Sequence, residues 1–95
     1  MARVLVQWSV APVAVPSNTD LSQYMVRIDG VGALLIPFGQ LEAEFDPVAP
    51  GDYTARVALT NGDGSRIEFE KTADFNVPEE QAFLDAPDVV TVSVF

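Results

Sequence analysis

Val48–Ser65, VAPGDYTARVALTNGDGS, decides the fold class of this chain. A Pro50-Gly51 corner opens into a run in which Tyr53, Ala55, Val57 and Leu59 alternate with Thr54, Arg56, Ala58 and Thr60. A period of two is the pleat of a β-strand that buries one face, whereas a helix would repeat every three to four residues. Gly62 and Gly64 then supply the positive backbone φ that a tight hairpin requires, so Asp52–Asn61 pairs with the returning strand Arg66–Val77.

Further strands lie outward from this hairpin, separated by Pro, Gly, Asn and Asp clusters at the spacing of a sandwich or barrel. Arg3–Val10 places Val4, Val6, Trp8 and Val10 on one face, and the following APVAVPSNTD is a loop or edge crossing because of Pro12 and Pro16. Ser22–Asp29 carries Tyr24, Val26 and Ile28 inward and turns at Asp29-Gly30; Ala33–Phe38 is a short apolar run stopped by Pro37. Gln40–Phe45 sets Leu41, Ala43 and Phe45 against Glu42 and Glu44. Pro78–Asp85 has the composition of one or two helical turns, and the last eight residues, DVVTVSVF, read as a strand. The core expected from this alternation comprises Val4, Val6, Trp8, Tyr24, Val26, Ile28, Phe45, Tyr53, Val57, Leu59, Ile67, Phe69 and Phe75.

Length and composition bound the function. The 95 residues make one domain that buries roughly 60 to 65 percent of its unfolded surface. With no Cys and no His, the chain lacks disulfides, thiolate zinc sites, thiol nucleophiles and the usual general base. A net charge of -9 repels phosphate backbones and anionic membranes, so neither nucleic acid nor membrane is an expected partner. No basic residue follows Lys71, which leaves Asp74, Glu79, Glu80, Asp85 and Asp88 unopposed. The apolar N-terminal run is broken by Gln7, Ser9 and Pro12 and reads as a strand; no signal peptide is expected.

The ordering of these segments resembles a fibronectin type III or related immunoglobulin-like domain. VLVQW resembles that family's second strand, with Trp8 as its core tryptophan, and YMVRIDG its third. VAPGDYTARVALTNGDG resembles its corner, tyrosine strand and glycine turn, which implies that the Tyr53 hydroxyl bonds backbone upstream. The likeness covers about Arg3–Val77, and implies an antiparallel β-sandwich of about seven strands. Two departures stand out: almost nothing precedes VLVQW, so the family's first strand is missing, while DVVTVSVF is surplus. The surplus strand either fills the vacant edge in the same molecule or pairs with a neighbour. The chain also looks similar to the immunoglobulin-like accessory proteins of bacteriophage particles.

No set of side chains specifies catalysis. The serines have no His and no G-x-S-x-G elbow, and Walker and Rossmann glycine patterns are absent. The Glu42/Glu44 and Glu68/Glu70 pairs have the spacing of any solvated strand face, with no apolar setting to raise a pKa. Asn61–Ser65 has oxygen side chains at alternate positions but carries Arg66 and Thr72 where an EF-hand needs Gly and Glu, so it reads as a hairpin turn. The seven uncharged residues VVTVSVF, rich in β-branched side chains and free of Pro and Gly, need a cover. The expected organisation is a body over residues 1–78 and an acidic extension over 79–95, with Phe83, Val90, Val92, Val94 and Phe95 binding a protein partner. The resulting expectation is a non-enzymatic structural module without cofactor or metal, made in the host cytoplasm and carried on a virion. Its partner would be a virion subunit or a second copy; a carbohydrate-binding or adhesive module is the alternative.

Overall fold

The computed structural model describes residues 1–79 and 84–95. It is all-β, with six strands: β1 (Ala2–Gln7), β2 (Gln23–Ile28), β3 (Gly32–Pro37), β4 (Glu42–Val48), β5 (Gly51–Thr60) and β6 (Ile67–Val77). They form two antiparallel sheets, one of order β1-β4 and one of order β3-β2-β5-β6. The sheets face each other across a core of Val26, Ile28, Ile36, Ala43, Phe45, Val48, Ala55 and Val77.

Alternation accounts for which side chains reach that core. In β4, Ala43, Phe45 and Val48 are buried while Glu42, Glu44 and Asp46 face water. The step from two residues to three between Phe45 and Val48 is a bulge: Ala2 and Val4 of β1 oppose Val48 and Phe45. Pro47, which has no N–H to give a ladder, occupies the extra position. Tyr24, Val26 and Ile28 of β2 pair with Leu59, Val57 and Ala55 of β5, placing all six on the inner face.

The turns are built as their residues require. Gly30, at φ 80°, closes the β2–β3 hairpin, where Val31 N donates to Ile28 O at 3.0 Å. Tyr53 Oη donates to Ala49 O at 2.7 Å, the upstream backbone bond the corner implied. Gly64 (φ 76°) lies in the β5–β6 hairpin, and a Cβ there would come within 2.9 Å of the Met25 terminal methyl. On the outer face, Thr60 is fully buried and donates its hydroxyl to Arg66 O at 2.6 Å.

Three expectations are corrected. Residues 84–95 form no strand, so the described chain has six strands where about seven were expected. Val90, Val92 and Val94 are at least 82% exposed, because the segment makes no sheet with the body. The long axis of 92 Å against 23 and 19 Å, and a radius of gyration of 22.1 Å, fit a segment that projects outward; a compact chain of this length would have a radius near 12 Å. Ile67 and Phe69, expected in the core, are 41% and 47% exposed. They lie at the start of β6, where a register shift opposite Val57/Leu59 pairs Ile67 with Thr60 on the outer face and Phe69, at φ 57°, borders the open groove. Of the helical turns expected over Pro78–Asp85, residues 80–83 lie outside the described residues, and Pro78, Glu79, Leu84 and Asp85 are not helical.

Candidate functional site

The core is closed on one side and open on the other. Ala43, Phe45 and Val48 of β4 are buried, yet their partners on β1, Val6, Val4 and Ala2, are only half-buried. On the facing sheet, Val26 is fully buried while its cross-strand partner Val57 is half-buried. Ala55 is buried but its β6 partner Ala73 is exposed. The inner face is thus uncovered along the seam between β1 and β6.

A groove of about 500 Å³ lies at the Trp8 end of this seam, beyond the last residue of β1, lined among others by Trp8, Val10, Val13, Val57, Leu59 and Phe69, with Glu70 and Lys71 also on its wall. The local sequence explains why it stays open. Trp8 N still bonds Leu41 O at 3.1 Å, but the Pro-containing segment beyond it leaves the sheet. Among the described residues no strand pairs with the outer edge of β1. Its mouth carries an aromatic row, with Trp8 on Tyr24 at 5.4 Å and Tyr24 on Phe38 at 5.0 Å, both edge-to-face. Trp8 Nε1 is buried without a hydrogen-bond partner.

The expected partner-binding residues stand apart from the groove. Val90, Val92, Val94 and Phe95 are exposed and separate from the body; Phe83 lies outside the described residues. The groove lining at Val10, Val13 and Phe69 was not foreseen as a surface. The signal available was Val10, Val13 and Val15 persisting as apolar residues in a Pro-interrupted stretch that leaves the strand.

Most of the acidic side chains on the strands and hairpin turns are engaged in structural pairs. Glu70 bridges Arg27 at 3.2 Å and Arg56 at 3.0 Å, and Arg56 also meets Asp29 at 2.9 Å. That contact, chiefly its hydrogen bond, holds the Asp29 carboxyl below its ordinary value of 3.8. Glu68 pairs with Arg66, Glu44 with Arg3, and Glu42 accepts from Gln7 Nε2. In the Asn61–Ser65 turn, Asp63 Oδ1 accepts from Ser65 N at 3.0 Å and Asn61 Oδ1 from Arg66 N at 3.2 Å, so these oxygens serve the hairpin. Ser65 correspondingly keeps the Asp63 carboxyl below 3.8. Asp29, Asp52 and Asp74 share a second recess, where Asn76 Nδ2 donates to Asp52 and Thr54 Oγ1 to Asp74, each at 2.8 Å. Among the described residues no group of three or more His, Cys, Asp or Glu is placed to hold a metal ion. No helix there is long and apolar enough to cross a membrane.

Comparison with protein-family models, curated proteins and solved structures found no match.

Proposed function

We propose that the chain is an immunoglobulin-like, fibronectin type III-like sandwich acting as a non-enzymatic structural module of a virus particle, a decoration or accessory protein. It binds neighbouring subunits through a sheet edge and its C-terminal segment. The order of strands supports the fold reading: β1 stands where the family's second strand would be, β2 where its third would be, and β5 carries the corner tyrosine. The observation that carries the functional reading is the segment VVTVSVF, uncharged, rich in β-branched residues and exposed from Val89 to Phe95. Exposed apolar runs of this kind mark association surfaces.

A glycan-binding module would use the same mouth of Trp8, Tyr24 and Phe38. Their edge-to-face arrangement suits mutual packing better than the flat platform a sugar ring stacks on. The test is detection of the chain, by antibody or mass spectrometry, in purified particles from the host in which it is made. Recovery in fixed proportion to the shell protein is expected, with Val92→Asp losing incorporation. A chain found only in particle-free fractions contradicts the reading.

A further inference from the structure

We infer that Asp88–Phe95 of one copy adds as a strand to the open edge of β1 in a second copy, entering through the groove at the Trp8 end, covering the β1–β6 seam and linking copies head to tail. This rests on the assembly reading above and names its partner and its edge.

The donor fits by periodicity. Val90, Val92 and Val94 share one face when extended, while Thr91 and Ser93 fall on the other. A strand laid antiparallel on β1 would therefore set Val90 at the groove and Val92 and Val94 further along the uncovered seam, and turn two hydroxyls to water, the pattern of a half-buried strand. All three valines are at least 82% exposed in the single chain, and the groove is unfilled by any described residue.

The acceptor is selected by what the other edges carry. Proteins blunt sheet edges with Pro, bulges and charges, especially charges that point inward. β3 contains Pro37, β4 contains Pro47 in its bulge, and β6 pairs Lys71 with Val57, which sets the lysine on the core-facing side. β1 has neither Pro nor an extra residue, and its single charge, Arg3, faces outward to Glu44 at 3.5 Å. It alone invites pairing.

Charge sets the direction. Among the described residues, Arg3, Arg27, Arg56 and Arg66 form ion pairs and Lys71 forms none. Lys71 and Trp8 line the same groove, so a donor running antiparallel to β1 brings Asp88 to the Lys71 end. The contact is heterologous, using a different surface on each copy, and therefore generates rings or open chains rather than a closed two-fold dimer.

The test uses full-length chains in sedimentation velocity over a wide concentration range. Wild type is expected to form concentration-dependent oligomers, while Val92→Asp (donor) and Val13→Glu (groove) each sediment as a 10.2 kDa monomer. Mixed in equal amounts, the two variants should form dimers, because the Val13→Glu copy donates an intact segment to the intact groove of the Val92→Asp copy. Both positions are exposed, at 82% and 46%, so folding is retained; circular dichroism checks it, and Val10→Glu replaces Val13→Glu if it fails. A mixture that stays monomeric overturns the proposal, as does a wild type that is monomeric at every concentration. A groove variant that still assembles while Val92→Asp does not overturns the choice of edge and leaves the assembly reading standing. Wild type that is both monomeric and absent from particles removes both.

Discussion

Val26 and Val57 are the same residue, facing each other across β2 and β5 on the same inner face, and differ only in what lies above them. Val26 is fully buried beneath β4, while Val57 is half-buried at the groove. Val→Ala at position 26 removes two carbons worth about 0.8 kcal/mol each in transfer, and the cavity left adds about 1 kcal/mol, for a cost near 2.5 kcal/mol. At position 57 roughly half the transfer applies and no closed cavity forms, so the cost in the monomer is about 1 kcal/mol. In melting temperature these correspond to falls of roughly 10–20 °C and 4–8 °C. The assay is urea unfolding followed by Trp8 fluorescence at concentrations where the chain is monomeric, with slopes compared to exclude altered denatured states. Equal costs at the two positions would refute the claim that the core is open on the β1–β6 side.

Four further outcomes follow from the same contacts. Trp8→Phe should cost less than about 1.5 kcal/mol, because the lost ring area is offset by removing an N–H that is buried without a partner, whereas Trp8→Ala should cost about 3 kcal/mol by the same unfolding assay. Phe69→Gly should leave monomer stability within about 1 kcal/mol, since relief of a positive φ in a side-chain-bearing residue balances the loss of a half-exposed ring and the added chain entropy. Glu70→Gln should destabilise by up to about 1 kcal/mol at low salt and less at 1 M salt, because it leaves the directly paired Arg27 and Arg56 without their shared carboxylate. Asp29 and Asp63 have carboxyls lowered in the folded state, so their contribution is complete above the unfolded value and lost as pH falls through the folded one. Acid unfolding should therefore steepen below about pH 4, and Asp29→Asn and Asp63→Asn should flatten that limb while lowering stability at neutral pH, where it stays independent of pH.

The strands were legible because each obeys a local rule. The β5 alternation, the Gly62–Gly64 hairpin and the Asp29-Gly30 turn depend only on neighbouring residues, and all three are present. The inward faces of β2, β4 and β5 could be read the same way. Depth of burial could not, because alternation says which way Val57 and Phe69 point and not whether another strand lies over them, and the register shift in β6 turns Ile67 to the outer face beside Thr60. Ile36, Val48 and Val77, outside the expected core, are buried because of where the two sheets overlap. The DVVTVSVF segment has every local mark of a strand, but a strand needs a partner edge, and the segment pairs with none of the described strands of its own body. The groove was illegible for the same reason: Trp8, Val13, Val57 and Phe69 are brought together by topology and share no spacing in the sequence.

The central claim, that one copy's terminal segment closes another copy's core, is tested most directly by isotope-filtered NMR on a mixture of labelled and unlabelled full-length chains. Contacts between the methyls of Val90 on one copy and Val13, Val57 and Phe69 on the other, and between Val92 and Val94 and the β1 side chains Val4 and Ala2, are predicted. Contacts confined to a single copy, or a groove that stays free of the segment while the chains assemble, would contradict it.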